Sequence, residues 1–244
     1  MKDILGIDIG GSALKGAPVN IKTGKLLAER HRIATPEILK PKQMAAAVKK
    51  MVGHFKWKGP IGIGFPGVIH DNVILTSANL HKDFIGCDAG KLFTKATGLP
   101  VTLINDADAA GVAEVKFGAG RNMHGTIVLL TFGTGVGSAL FVDGRLYPNS
   151  EFGHLPFKGK DAECFVSSAA RDRKKLSYKK WAHKVSDYLN IIETVLWPRL
   201  IIVGGGISAD HDKWFKHLKV RTPVVAATFL NEAGIVGAAL AAKK

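Results

Sequence analysis

Apolar residues in the first half of the chain form short runs that alternate with glycine turns and with stretches of helical period. The predicted elements are strands at 4–9, 13–20 and 25–33, a helix at 41–55, a buried strand starting at Pro60, a helix at 88–97, a strand at 101–104 and a helix from 105 to 117. Three strands followed by alternating helices and strands predict a mixed sheet with crossover helices.

The same pattern begins again near residue 122. The predicted elements there are strands at 126–132, 137–143 and 145–148, helices at 162–173 and 178–196, a strand at 198–203, a helix at 210–218, a strand at 223–226 and a helix at 231–242. We therefore expect an α/β protein with two half-domains, 1–121 and 122–244, each built on a mixed sheet flanked by helices. The last helix is a candidate to pack on the first half.

Each half contains a hairpin whose turn is rich in glycine and hydroxyl residues. The first comprises Gly10, Gly11 and Ser12, with Asp8 before the turn and Lys15 after it. The second comprises Thr131, Gly133, Thr134, Gly135 and Gly137. Because glycine has no Cβ, the N–H groups of such turns can approach an anion closely. Two of them predict a grip on a phosphate chain, although either sequence also fits an ordinary hairpin.

Two further features fit phosphate chemistry. The carboxylate of Asp8 ends a buried strand, where it can hold hydrated Mg²⁺ beside a phosphate, and Lys15 supplies a point charge for the transferring phosphoryl group. Gly204, Gly205 and Gly206 follow another buried strand and precede a helix. Such a bare backbone admits a flat base or a phosphate, but it also fits a tight turn between strand and helix.

Asn105 and Asp106 stand at the carboxyl end of the predicted strand 101–104, the place where ligands of open α/β sheets gather. Asp106 is a candidate general base for a sugar hydroxyl, with Asn105 holding a neighbouring hydroxyl. The alternative is a helix cap without catalytic function. Asp108 is assigned to structure. Glu151 and His154, separated by Phe-Gly, are candidates to bind sugar hydroxyls, although a single histidine in a loop more often lies at the surface.

The charge is the unusual part of the composition. The chain of 244 residues has 34 Lys and Arg against 20 Asp and Glu, a net charge of +14, which implies an anionic partner: nucleic acid, polyphosphate or a membrane surface. Part of the excess lies in a basic cluster formed by Arg171, Arg173, Lys174, Lys175, Lys179, Lys180 and Lys184. This cluster is either a binding surface for such a partner or a solvated helix face.

Other signals concern location. The apolar runs have the length of strands, so we expect no membrane span, and the N-terminus is too short for a signal-peptide core. Cys87 and Cys164 form no CxxC pair, so they are interpreted as free thiols in a reducing cytoplasm.

Taken in order, these motifs resemble the repressor–ORF–kinase (ROK) family of sugar kinases, within the actin-like ATPase superfold related to ribonuclease H, and especially its bacterial polyphosphate-using glucokinases. The resemblance covers essentially the whole chain, and it also includes FPG at 65–67, TSANL at 76–80, NDADAAG at 105–111, FGAG at 117–120 and PNSEFGHL at 148–155. It implies an active site in a cleft between the half-domains.

The resemblance also implies a role for each matching residue. Asp106 matches the catalytic base. The matching sugar ligands are Asn79, Asn105, Glu151, His154 and Glu163. The matching phosphate and donor residues are Asp8, Gly10, Gly11, Lys15, Gly133, Thr134, Gly135, Gly137 and 204–206. A homodimer is implied by the family alone.

Two features of the family pattern are absent from this sequence, and their absence argues against a zinc site and against DNA binding. Many members bind structural zinc through a His and a CxCGxxGC cluster in the loop after 154, but here that loop contains only Cys164, so we expect no zinc. The repressors of the family have an added N-terminal helix-turn-helix, and this chain begins with the first strand of the kinase fold, so we expect no DNA binding.

The expected function is phosphoryl transfer from inorganic polyphosphate, ATP or both to the 6-hydroxyl of glucose, with Mg²⁺. Two alternatives stay open: an ATP-dependent kinase of mannose or another hexose, and a non-catalytic sugar sensor or nucleic-acid-binding protein.

Overall fold

The computed structural model describes residues 3–35, 39–77 and 80–243. Its elements as far as the middle of the chain are β1 (Asp3–Ile9), β2 (Ala13–Asn20), β3 (Lys25–Leu26), β4 (His31–Ala34), α1 (Pro41–His54), β5 (Ile61–Phe65), β6 (Ile69–His70), β7 (Val73–Ile74), α2 (Ala89–Thr97), β8 (Val101–Asn105) and α3 (Asp106–Phe117). The later elements are β9 (Thr126–Phe132), β10 (Val136–Val142), β11 (Arg145–Tyr147), β12 (Pro156–Phe157), β13 (Lys160–Asp161), α4 (Glu163–Val166), α5 (Ser168–Arg173), α6 (Tyr178–Leu196), β14 (Leu200–Gly204), α7 (His211–Trp214), β15 (Val224–Ala226) and α8 (Ala233–Ala241).

The chain forms two compact units. The first contains Met1–Ala113 and Glu232–Lys244, so it includes α8, and the second contains Glu114–Asn231. The division after Ala113 comes earlier in the chain than the predicted division after residue 121. None of the described helices is long and apolar enough to cross a bilayer.

Each unit is built on one mixed sheet, and the two sheets share a plan. In the first unit the strand order is β3-β2-β1-β5-β8, with β4 also paired to β2. In the second it is β11-β10-β9-β14-β15. Both sheets combine an antiparallel hairpin, β1–β2 or β9–β10, with two further strands parallel to its first strand. The α/β class and the repetition between the halves follow from this plan.

The sheet of the first unit packs differently on its two faces. On one face Leu5, Ile7 and Ile9 of β1 pack in a core with α1 and α2. On the other face Gly6 of β1 and Gly62 of β5 lie directly against the backbone of α8, at Ile235 and Ala238, with no space for a Cβ. Glycine at these two strand positions therefore lets a helix backbone rest on the sheet.

Three predicted helices and one predicted strand are shorter than expected. The predicted helix 162–173 is broken at Ser167, which has extended backbone and accepts the N–H of Ala170, so it caps α5. Only α7 of the predicted helix 210–218 is α-helical, and it lies between two 3-10 turns. The predicted helix 231–242 begins only at Ala233. The predicted strand 25–33 is divided into β3 and β4. Periodicity does not detect such internal breaks.

A buried carboxylate holds the loop between α7 and β15 in the second unit. Glu193 of α6 is 5% exposed and accepts the N–H groups of Arg221 and Thr222. Burial tends to raise the pKa of Glu193, but the hydrogen bonds from Thr222 and Arg221 outweigh it and lower that pKa.

We expect Glu193→Gln to lower the free energy of unfolding by about 1–3 kcal/mol at neutral pH, since the amide leaves one of these N–H groups without an acceptor. Because the pKa of Glu193 is lower in the folded than in the unfolded protein, the ionised carboxylate stabilises the fold at pH values above the unfolded-state pKa. This stabilisation is lost as the pH falls through the folded-state pKa. The difference between the two proteins should therefore shrink below the ordinary Glu value of 4.5. Urea unfolding from neutral to acid pH measures this, and a constant difference would contradict it.

Candidate active site

The first glycine turn leaves two adjacent amides open. Gly10 donates its N–H to the carbonyl of Ala13 at 3.0 Å, and the carbonyl of Ser12 accepts the N–H of Thr35 at 3.0 Å. Among the described residues the N–H groups of Gly11 and Ser12 have no hydrogen-bond partner, and both residues are exposed. The turn thus presents two consecutive donors to solvent, the arrangement that binds an anion.

Asp8 lies at the base of this turn. It is half-buried and pairs in register with Lys15 of β2, and a Cβ on Gly234 of α8 would come within 3.1 Å of its carboxyl carbon. Burial raises the pKa of Asp8, while the charges of Lys15 and Arg30 lower it. The register therefore places Asp8 and Lys15 opposite each other on the two strands that the turn connects.

The parallel strands bring Asp8 and the Asn105–Asp106 pair to one edge of the sheet. Asp8 pairs with Gly64 of β5, which in turn pairs with Ile104 of β8. Two strand spacings separate the backbones of Asp8 and Ile104 by about 10 Å. Asp106 follows two residues later, and a Cβ on Gly64 would lie 3.7 Å from its Cα.

Asn105 has a structural function in addition to the predicted one. Its Oδ1 accepts the N–H of Asp108 at 3.0 Å and caps α3, and its Nδ2 donates to the carbonyl of Gly67 at 3.2 Å. The half-buried Asp106 accepts the N–H of Ala107 at its Oδ1, at 2.8 Å. The helix cap and the predicted catalytic position are therefore parts of the same turn. Asn79, predicted to line the sugar pocket, lies outside the described residues.

The second glycine turn repeats the construction of the first. Gly133 donates its N–H to Gly135 at 3.0 Å, and its carbonyl accepts the Ser168 hydroxyl and the Ala169 N–H. Within the part of the chain that the structure describes, the amides of Thr134 and Gly135 have no hydrogen-bond partner. Thr131 and Gly137 pair with each other in β9 and β10, just outside the turn.

The third glycine cluster lies beside this second turn. Gly204 ends β14 opposite Thr131 of β9. Gly205 has φ +79°, and a Cβ there would lie 2.7 Å from the carbonyl oxygen of Phe132, whereas Gly206 faces open space. Close packing on β9 thus requires glycine at 205, and the exposed backbone that follows remains open to a ligand.

Glu163, predicted from the resemblance as a sugar ligand, also supports the second turn. Its Oε2 accepts the N–H of Val136 at 3.1 Å, and its carboxylate occupies the space that a Cβ on Gly135 would need. This contact was not foreseen from the sequence, because nothing in the local pattern relates α4 to a turn 27 residues earlier.

Glu151 and His154 meet in the loop before β12. The Oε2 of Glu151 is 3.9 Å from Nε2 of His154, and a Cβ on Gly153 would strike the carbonyl of Val136, so the loop packs directly on β10. The hydroxyl of Ser138 accepts the N–H of Phe152 and donates to the carbonyl of Ser150. Burial raises the pKa of Glu151. The charge of His154 opposes this rise, and the charge of Glu163 adds to it.

Asp161 is a neighbour of His154 that the sequence reasoning missed. Its Oδ2 lies 2.8 Å from Nδ1 of His154. The hydrogen bond to Asp161 raises the pKa of His154, against the opposing effect of burial. The signal that would have found Asp161 is the turn pattern at Lys158 and Gly159, which folds a short hairpin back onto the histidine.

Arg171 of the basic cluster is linked through Tyr178 to Asp210, in the segment that follows the third glycine cluster. The Arg171 guanidinium stacks on the Tyr178 ring at 3.9 Å, and the Tyr178 hydroxyl donates to Asp210 at 2.7 Å. Lys213 pairs with Asp210 at 2.7 Å. Arg173, Lys174, Lys175, Lys179 and Lys180 are exposed.

The described residues contain no group of three or more His, Cys, Asp or Glu side chains placed to hold a metal ion. Cys87 and Cys164 are both free thiols. The expectation that this chain binds no zinc stays a prediction.

Similarity to known proteins extends over nearly the whole chain. The model of the ROK family matches residues 4–170. The chain is 47% identical over 237 residues to a polyphosphate glucokinase of Mycobacterium tuberculosis, covering 97% of this chain and 89% of the relative. An inorganic polyphosphate/ATP-glucomannokinase from Arthrobacter sp. strain KM has a TM-score of 0.94 at 44% identity, covering 98% of each chain. A ROK glucokinase of Streptomyces griseus, in complex with glucose and AMPPNP, has a TM-score of 0.83 at 23% identity, covering 97% of this chain and 98% of that one, and shares the fold.

Proposed function

Because this chain belongs to the ROK family, we propose that it transfers a phosphoryl group from inorganic polyphosphate, ATP or both to the 6-hydroxyl of glucose. The predicted family and its actin-like sugar-kinase fold are confirmed by the family match and the structural neighbours. The feature of the site that supports this proposal most directly is its pair of glycine turns. Two separate glycine turns each present a pair of consecutive amides that find no hydrogen-bond partner among the described residues, and the first turn lies at the sheet edge that also holds Asp106.

In this reaction Asp106 acts as the general base. Its carboxylate takes the proton of the 6-hydroxyl while that oxygen attacks the terminal phosphorus of the donor. The bond to the next bridging oxygen breaks, and the shortened polyphosphate or ADP leaves. We propose Asn79, Asn105, Glu151, His154 and Glu163 as the residues that orient the sugar hydroxyls, which carboxylates, amides and imidazole bind well.

The donor is held by backbone and by charge. The open amides of Gly11, Ser12, Thr134 and Gly135 are proposed to bind phosphate oxygens, and Lys15 to neutralise the transferring group. The exposed backbone of 204–206 is proposed to admit the nucleotide when ATP is the donor. Phosphoryl transfer depends mainly on such positioning and charge neutralisation.

The residues present fit Mg²⁺ at Asp8. A half-buried carboxylate at a strand end, next to the open amides, is a hard oxygen donor of the kind that this ion binds through water. When bound, Mg²⁺ supplies positive charge to the donor phosphates. Asp8 would hold the ion at the base of the turn; burial raises the pKa of its carboxyl group, and the charges of Lys15 and Arg30 oppose that rise.

The direct test uses purified protein, glucose and polyphosphate labelled with ³²P, and separately ATP labelled at the γ position. We expect label in glucose 6-phosphate from at least one donor. No transfer from either donor would overturn the proposal. Mannose serves as a second acceptor in the same assay, because the Arthrobacter relative at 44% identity is described as a glucomannokinase. Light scattering of the same preparation tests the proposed homodimer.

The basic cluster is proposed to extend the donor site for long polyphosphate. When about three cations of the cluster neutralise phosphates of a flexible polyanion, the polyanion releases its counterions, so KM for polyphosphate should rise about twentyfold between 50 and 200 mM salt, and KM for ATP much less. Replacing the exposed Lys175, Lys179 and Lys180 by Gln should flatten this salt dependence.

The matched control removes the same charge elsewhere. Lys42, Lys49 and Lys50 are exposed on α1 in the first unit, and their replacement by Gln should leave the slope unchanged. Equal slopes for polyphosphate and ATP in the wild-type protein, or equal effects of the two triple variants, would reject the cluster as a polyphosphate surface.

A further inference from the structure

The two ring nitrogens of His154 face two different carboxylates. Nδ1 lies 2.8 Å from Oδ2 of Asp161, and Nε2 lies 3.9 Å from Oε2 of Glu151. A carboxylate accepts hydrogen bonds only, so the proton on this side belongs to Nδ1. The distance from Nε2 to Glu151 is too long for a direct hydrogen bond but leaves both groups free to contact one hydroxyl.

Asp161 is held in place by a small hairpin. β12 and β13 pair Pro156 with Asp161, and the buried Phe157 anchors the hairpin in the core of the second unit. Its turn consists of Lys158 at φ +52° and Gly159 at φ +79°, the left-handed pair that tight two-residue hairpins require. The position of Asp161 is therefore set by the backbone and does not depend on its contact with His154.

We propose that Asp161 is a positioning residue for sugar recognition, which holds the Nδ1 proton of His154 and thereby directs Nε2 toward a sugar hydroxyl shared with Glu151. This inference rests on the proposed glucokinase function, because it assigns the sugar as the ligand of Nε2. A sugar hydroxyl both donates and accepts, so the fixed imidazole can bind it in its neutral or its charged form.

The charges around His154 act in the same direction. Asp161 of β13, Glu163 of α4 and Glu151 of the preceding loop each raise the pKa of His154, and the hydrogen bond that Nδ1 of His154 donates to Asp161 is the largest contribution. The cation at the hairpin tip, Lys158, pairs with Asp187 of α6 at 3.2 Å. Removing Asp161 therefore leaves the Nδ1 proton of His154 without this acceptor and lowers the pKa of His154.

The first readout is glucose kinetics of Asp161→Ala and Asp161→Asn at saturating ATP. We expect KM for glucose to rise about tenfold in the alanine variant and less in the asparagine variant, whose amide oxygen still accepts from Nδ1–H, with kcat less affected. The control is Asp187→Asn, which removes a carboxylate that contacts the same hairpin at Lys158 and should leave KM unchanged. Both carboxylates are about half exposed, so no variant should change the melting temperature by more than a few degrees.

The second readout does not depend on activity. The imidazole signal of His154, assigned by its loss in His154→Gln, is titrated by NMR in the free protein. Its midpoint should fall in both Asp161 variants and stay constant in Asp187→Asn. An unchanged midpoint, or an unchanged KM for glucose in an active enzyme, overturns the inference. Failure of the wild-type protein to phosphorylate glucose would instead overturn the proposed function.

Discussion

Asp106→Asn should lower kcat for glucose phosphorylation by about 10²–10⁴-fold and leave glucose affinity nearly unchanged. The amide has the shape of the carboxylate, and its oxygen can still accept the N–H of Ala107, so α3 keeps its first turn. What the amide cannot do is take the proton of the attacking hydroxyl. A coupled assay with ATP measures kcat, and calorimetry measures glucose binding.

Asp88→Asn is the matched control for this substitution. Asp88 also stands at the start of a helix in the first unit, where it accepts the N–H of Lys91 at 2.9 Å and caps α2. Asparagine caps a helix about as well as aspartate, so this variant should keep both the fold and kcat. A kcat of Asp106→Asn within tenfold of the wild-type value would reject Asp106 as the base.

The same pair of measurements separates the enzyme from a non-catalytic sugar sensor. A sensor binds sugar but has no turnover in the wild-type protein, so Asp106→Asn would have nothing to remove. The enzyme instead loses turnover and retains binding. The loss of kcat with constant affinity is thus the result that distinguishes the two functions.

Local sequence signals predicted the parts of the site that are local in the chain. Both glycine hairpins and the cap at Asn105 depend on neighbouring residues, and the structure forms them where they were predicted. The sequence could not show which turn amides stay open. That depends on bonds such as Gly10 to Ala13 and Gly133 to Gly135, which use one amide of each turn and leave the next two exposed.

The contacts that the sequence did not predict join distant residues. Glu163 reaches Val136, and Asp161 reaches His154, because a hairpin and a capped helix break follow one another between 156 and 168. Helical periodicity extends across Ser167 and conceals the break. The match to a family pattern assigned Glu163 to the sugar without indicating that it also supports a phosphate turn.

Close packing of glycine backbones in the first unit leads to the largest expected effect on stability. A Cβ on Gly62 would overlap the carbonyl of Ala238 in α8, and a backbone atom cannot move aside as a flexible side chain can. We expect Gly62→Ala to lower the free energy of unfolding by about 3 kcal/mol, because α8 must separate from β5 to accommodate the methyl group. Urea unfolding of the purified variant measures this loss.

Gly53→Ala provides the opposite case within the same unit. Gly53 lies on the exposed side of α1, and a Cβ there would meet nothing within 4 Å. Alanine restricts the unfolded chain and favours the helix, so this variant should be more stable than the wild type by about 0.5–1 kcal/mol. If Gly62→Ala were as stable as Gly53→Ala, the strand β5 would not carry the helix backbone directly, and the close contact between α8 and the sheet that also places Gly234 beside Asp8 would be refuted.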